Sequence, residues 1–106
     1  MTNEGWLGTA SAAFLAHCRV EKGLSANTLA SYSFDLKDFQ RFREDRKAAG
    51  GPPSAEDLNS YVDHLTSAGL AASSIARRIT TLRNFFRFLL REGRIEAEPT
   101  ALLRSP

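Results

Sequence analysis

Cysteine is nearly absent from this chain of 106 residues, which contains only Cys18. A single cysteine excludes an internal disulfide and any zinc site built from several cysteines. We predict that Cys18 is a small residue of the core. The two histidines, His17 and His64, have no cysteine or carboxylate at ligand spacing, so both are predicted to be surface residues. No metal site and no cofactor are expected.

Long hydrophobic runs are also absent. No apolar run approaches the roughly 20 residues of a membrane-spanning helix, and the first residues, MTNEGWLG, lack the basic and apolar regions of a signal peptide. The sequence has no phosphate-binding loop, no GxGxxG and no GxSxG motif. We therefore expect a cytoplasmic protein with no membrane partner and no small-molecule substrate.

Net charge is small, at +2, but its distribution is uneven. Six arginines and one acid, Glu92, lie between Arg77 and Arg94, whereas the rest of the chain carries eight basic and eleven acidic residues. This pattern indicates a nearly neutral body with one basic segment.

Apolar residues recur at helical spacing in four segments, and none alternates with period two, so the fold is predicted to be all-α. The first segment begins near Thr9 and ends at Gly23, the second follows the N-cap Ser25, and the fourth runs from Ala72 to Gly93. The third follows Ser54 in the capping-box stretch SAED and ends at Gly69. The predicted inward residues are Leu7, Phe14, Leu15, Cys18, Leu29, Tyr32, Leu36, Phe39, Leu58, Tyr61, Val62, Leu65, Ile75, Ile79, Leu82, Phe86 and Leu89.

Short connections favour a four-helix bundle-like arrangement, with a short fifth helix in TALLR after Pro99. We predict a tail over residues 1–8, one helical domain over 9–104 and the start of a linker at 105–106. If successive helices alternate in direction, helices two and four are parallel and their N-termini lie at the same end.

Polar residues lie near the start of both of these helices. On a helical wheel the fourth helix turns Ser73, Ser74, Arg77, Thr81, Asn84, Arg87 and Arg91 away from the apolar side, and the second begins with Ser25, Asn27, Thr28 and Ser31. Helix N-termini bind phosphate oxygens, and a helix fits the major groove of DNA. The alternative without a ligand is that the polar residues at the helix starts only cap the helices and that the arginine-rich face is only solvated. A second alternative is a protein-interaction or self-association module that uses exposed Phe34 and Phe88.

Three stretches carry a family resemblance: EKGLSANTLASY with DL and F following, S.IARR...LR.FFRFL, and the closing P...L.SP. Over about residues 10–106 the chain resembles the N-terminal core-binding domain of tyrosine recombinases, most closely the Xer and phage-integrase-like bacterial group. The resemblance implies a helical DNA-binding module whose second and fourth helices face the major groove of a recombination half-site. One departure is Ser33-Phe34, where many relatives have a basic pair.

The resemblance assigns double-stranded DNA as the partner, with other recombinase subunits as further partners. The predicted DNA-binding residues are Ser25, Asn27, Thr28, Ser31, Ser73, Ser74, Arg77, Arg78, Thr81 and Asn84. No catalytic residue is expected, because neither Tyr32 nor Tyr61 matches the family's nucleophile. The chain would not be an enzyme by itself, since the catalytic domain of these recombinases follows the linker.

Overall fold

The computed structural model describes residues 4–47, 50–101 and 103. Over these residues the regular secondary structure is four α-helices without a strand: α1, Glu4–Val20; α2, Ala26–Asp45; α3, Ala55–Ser67; and α4, Ala72–Arg91. The predicted all-α class is confirmed. The chain forms two compact units, 1–52 and 53–106, in which α1 contacts α2 and α3 contacts α4, respectively.

Helix α1 begins at Glu4, five residues before the predicted start at Thr9. Two glycines, Gly5 and Gly8, lower the helix propensity of this first turn. Leu7 lies between them and is fully buried, so packing overrides the local preference. Residues 4–8, which were predicted to be tail, therefore belong to the helix. Cys18 is buried as predicted.

Helix α2 begins where the sequence predicts, because Ser25 caps it: the Ser25 Oγ accepts from the Thr28 N–H at 3.2 Å. Leu36 and Phe39 are buried, but so are the charged residues Asp35 and Arg43, which the apolar pattern did not reveal. The Arg43 Nη1 donates to the Gly51 carbonyl at 3.1 Å and thereby connects the helix to the turn that follows it.

Helices α3 and α4 both end as the glycines predict. Gly69 and Gly93 adopt φ values of 85° and 70°, a conformation that glycine takes without strain. The next N–H in each case, of Leu70 and of Arg94, donates to the carbonyl five residues earlier, at 3.2 and 2.9 Å. This arrangement is the Schellman motif. At its other end α3 has the predicted capping box between Ser54 and Asp57.

The predicted fifth helix is not formed over the described residues. Residues 99–101 form a turn, in which the Glu98 side chain accepts from the N–H and the hydroxyl of Thr100. Leu103 is buried, and its carbonyl accepts from the Arg83 Nη2 at 2.7 Å. The bond from Arg83 connects Leu103 to α4. The predicted domain end at 104 and linker start at 105–106 lie outside the described residues.

None of the described helices is long and apolar enough to cross a membrane.

Candidate nucleic-acid interface

Most residues of helix α4 fall into three rows, each with alternating spacings of four and three, while Ala72, Ala76, Arg83 and Leu90 lie outside them. The inner row is the predicted apolar stripe, and all five of its members are buried. A second row beside it is half-buried in its first two members and buried from Thr81 onwards, and the third row is polar. The rows are Ile75, Ile79, Leu82, Phe86 and Leu89; Ser74, Arg78, Thr81, Phe85 and Phe88; and Ser73, Arg77, Thr80, Asn84, Arg87 and Arg91.

The polar row is the most accessible of the three rows. Asn84 is half-buried and the other five members are exposed. Ser73, Arg77 and Asn84 were predicted as site residues, and the structure brings them onto one face with Thr80, which the sequence analysis missed. The row contains three arginines and no acid from the first turn to the last. It therefore presents hydroxyl, amide and guanidinium groups on a positively charged strip about 27 Å long, at 1.5 Å per residue.

The predicted exposure of Thr81 is wrong. Only 1% of its surface is accessible, and its hydroxyl donates to the Arg77 carbonyl at 3.4 Å. Thr81 shares the second buried row with Phe85 and Phe88, so its side chain belongs to the packed side of the helix. Phe88, which was predicted to be exposed, is only 5% accessible for the same reason. Phe34 on α2 is 58% accessible, in agreement with the prediction.

Arg78 and Arg83 of the basic segment donate hydrogen bonds inside unit 2. The half-buried Arg78 donates from Nη1 to the Tyr61 hydroxyl at 3.2 Å, which links α4 to α3. Arg83 donates to the Leu103 carbonyl, as described above. Ser74 and Arg78 are both half-buried and lie at the margin of the accessible side. The hydrogen bond of Arg78 to Tyr61 gives this arginine a structural role.

The start of α2 brings the other predicted residues together. Ser25, Asn27 and Ser31 are exposed and Thr28 is half-buried. The Ser25 hydroxyl donates to the Thr28 Oγ1 at 3.0 Å, so these two side chains are already engaged in the cap. Asn27 and Ser31 are four residues apart and share one face of the helix.

Beyond Ser31 the same face of α2 changes character. Continuing at spacings of three and four, it carries Phe34, Asp38, Arg41 and Asp45. The two acids on this part of the face would disfavour a polyanion, since like charges repel. The part of α2 that suits an anionic ligand is therefore restricted to its first two turns.

The N-termini of the helices differ in electrostatics. The first turn of α3 contains Glu56 and Asp57, whose charges offset the positive end of the helix dipole. The first turns of α2 and α4 contain no acid. The N-cap of α4, Ala71, provides no side-chain hydrogen bond. Helices α2 and α4 thus keep the positive end that binds phosphate oxygens, whereas α3 does not.

Other chemistry finds little support among the described residues. No group of three histidine, cysteine, aspartate or glutamate side chains there is placed to hold a metal ion. Burial raises the pKa of the Cys18 thiol and the charge of Lys22 opposes this only in part, so the reactive thiolate is disfavoured at neutral pH. Tyr61 is buried as predicted, and Tyr32 is half-buried and stacks on Phe14 with ring centroids 5.8 Å apart.

Comparison with known proteins gives a consistent result. The family model described as phage integrase, N-terminal SAM-like domain, matches residues 12–93. Tyrosine recombinase XerD of Rhizobium meliloti is 45% identical over 94 residues, which are 89% of this chain and 30% of that protein. Tyrosine recombinase XerC of Roseiflexus castenholzii is 36% identical, over 89% of this chain and 30% of that protein. XerC of Chlorobaculum tepidum is 33% identical over the whole chain and 32% of its own length.

No solved structure matches the chain. The chain spans about a third of the length of these curated relatives. Because the family model covers most of its residues, the chain belongs to the phage integrase N-terminal SAM-like domain family.

Proposed function

We propose that this chain is the DNA-binding core-binding domain of a bacterial site-specific tyrosine recombinase. In this proposal the first two turns of α2 and the N-terminal half of the polar row of α4 enter the major groove of a recombination half-site. The polar row is the observation that carries the proposal, because it joins a helix N-terminus without acids to exposed groups that can read base edges.

The residues in this role are a subset of those predicted, with one addition. Arg77 can donate to guanine, and Asn84, Ser73 and Thr80 can reach base edges or phosphates. On α2 the contacting residues are Asn27 and Ser31, because the side chains of Ser25 and Thr28 are engaged in the helix cap. Thr81 has no part in the contact, and Ser74 and Arg78 lie at its edge.

In this proposal another part of a longer enzyme carries out the chemistry of recombination. The chain spans about a third of the length of its relatives, and the sequence resemblance implies that the nucleophilic tyrosine lies in a later domain. We propose that this module positions the duplex and performs no strand exchange alone. Its binding should be weak, with a dissociation constant of about 10⁻⁴ to 10⁻⁶ M at physiological salt, because the second domain of a linked clamp supplies much of the affinity.

Arg77→Ala tests the proposal by fluorescence anisotropy with labelled duplexes that differ at single base pairs. The variant should bind more weakly and should lose about 1 to 3 kcal/mol of preference at one base pair, because a bidentate contact is removed. Arg19→Ala is the matched control, since Arg19 is an exposed arginine on α1. Equal affinities of the Arg77→Ala variant and the wild-type chain at low salt would remove Arg77 from the interface.

A second candidate function, self-association, is favoured by the exposed ring of Phe34. Sedimentation velocity without DNA separates the two: a concentration-dependent dimer that Phe34→Ala abolishes would support self-association. A monomer that changes its sedimentation only with duplex would support the DNA-binding function.

A further inference from the structure

The C-terminal half of the polar row differs from the N-terminal half. It contains Arg87 and Arg91, and the exposed Arg94 lies three residues beyond the end of the helix. Arg83, Arg87 and Arg91 are spaced four residues apart, so like charges adjoin along the helix and repel one another. No acid stands three or four positions from Arg87 or Arg91 in the sequence. An anionic ligand would relieve this repulsion.

The length of the row separates the two halves in space. From Ser73 to Arg91 the helix rises about 27 Å, whereas the major groove is about 12 Å wide. A straight helix that crosses the groove with its first turns facing base edges would therefore carry its last turns over the sugar-phosphate backbone. The arginine side chains at that end would then face phosphates.

We propose that Arg87, Arg91 and Arg94 form an arginine arm that binds the phosphate backbone beside the site read by the first half of α4. This inference rests on the proposed function and assigns different roles to the two halves of the polar row. Sequence preference comes from the first half, which contains Ser73, Arg77, Thr80 and Asn84. The arginine arm supplies affinity that is independent of sequence. Neutralised phosphates release counterions, so the arm contributes mainly to the salt dependence of binding.

A structural role competes with this one at Arg91. Arg91 lies in the last turn of α4, where a positive charge stabilises the helix dipole. Arg87 lies a turn earlier, where that effect has faded, and is the cleaner test residue. Arg19 is the matched control, since it is an exposed arginine in the last turn of α1.

The test measures duplex affinity by anisotropy across a range of salt concentrations for the Arg87→Gln, Arg91→Gln, double Gln and Arg19→Gln chains. Each arm substitution should reduce the slope of log K against log salt by about 0.9, while the affinity ratio between two duplexes that differ at one base pair stays unchanged. Arg87→Lys should retain most of the slope, because it keeps the charge. Arg19→Gln should leave the slope unaltered.

Two results would contradict the proposed role of the arginine arm. In one, the double Gln chain keeps the wild-type slope while Arg77→Ala still weakens binding; the arm then fails and the proposed function stands. In the other, Arg87→Gln changes the base-pair preference, which would make Arg87 a reader of sequence. A wild-type chain without salt-dependent duplex binding would reject the proposed function, and the arm with it.

Discussion

Two adjacent residues, Thr80 and Thr81, show what decides the composition of the site. Both hydroxyls donate to the carbonyl four residues earlier, Thr80 to Ala76 at 3.1 Å and Thr81 to Arg77 at 3.4 Å. Yet Thr80 is exposed and Thr81 is 1% accessible. Since both make this local bond, it does not explain their different burial, which depends on the packing around the helix, and a short-range pattern does not contain that information.

Substitution of these two threonines should separate stability from binding. Thr81→Ala should lower the free energy of unfolding by about 1 kcal/mol, since it removes buried atoms, and should leave the duplex affinity of the folded chain unchanged. Thr80→Ala should change stability by less than about 0.5 kcal/mol and should weaken duplex binding. Urea denaturation and anisotropy measure the two quantities. The reverse assignment of effects would show that Thr81 faces the ligand.

Residues whose role is local were predicted correctly. Ser25 and Ser54 cap their helices because the cap needs only a hydroxyl and the next turn of backbone. Phe88 was assigned to the wrong side because a single apolar stripe was assumed, whereas α4 also buries Thr81, Phe85 and Phe88 beside that stripe. A helical wheel gives the angle of each residue correctly, but it does not give the width of the buried arc, which tertiary contacts set.

At the scale of the helix, the start of α4 has an unusual cap. Ala71 has the extended backbone of an N-cap, with φ −64° and ψ 148°, but its side chain cannot accept a hydrogen bond. Serine, threonine, asparagine or aspartate would stabilise the helix at this position. Helix α3 has such a residue and two acids, so its positive end is neutralised. The weaker cap of α4 is consistent with an N-terminus left available to an anion.

Ala71→Ser and Ala71→Asp should therefore both raise the melting temperature, because each adds a cap worth about 1 kcal/mol. Their effects on duplex binding should differ: Ala71→Asp places a negative charge where a phosphate is expected and should weaken binding, whereas Ala71→Ser should weaken it little or not at all. Thermal melting and anisotropy check the pair. Equal affinity of the two variants would show that no phosphate lies near this N-terminus.

Helix ends were predictable to different degrees. The ends of α3 and α4 follow from Gly69 and Gly93, which adopt the left-handed conformation that terminates a helix. The start of α1 was missed because Gly5 and Gly8 mask a turn that the burial of Leu7 stabilises. A short C-terminal helix was predicted because Pro99 suits a first helical turn, but residues 99–101 form a turn and the Leu103 carbonyl accepts from Arg83, which is 20 residues away.

For the molecule as a whole, the proposed function requires one duplex to engage residues of both compact units, since α2 belongs to unit 1 and α4 to unit 2. The parallel orientation of α2 and α4 stays a prediction. The family membership does not depend on it, because the family model spans residues 12–93 and so includes most of both units. The electrostatics of each helix start supports the same ligand class independently.

An NMR titration of the isotope-labelled chain with duplex tests whether both units hold the same molecule. Amide shifts near residues 25–31 and 73–84 should follow one binding curve, because a single event that engages both sets gives them one dissociation constant. Arg77→Ala should move both curves by the same factor, although the substitution lies only in α4. The Arg19→Ala chain, altered outside both sets, should reproduce the wild-type curve. The outcome would be different if the two units bound duplex separately. The two sets of amides would then give different dissociation constants, or the Arg77→Ala effect would be limited to residues 73–84.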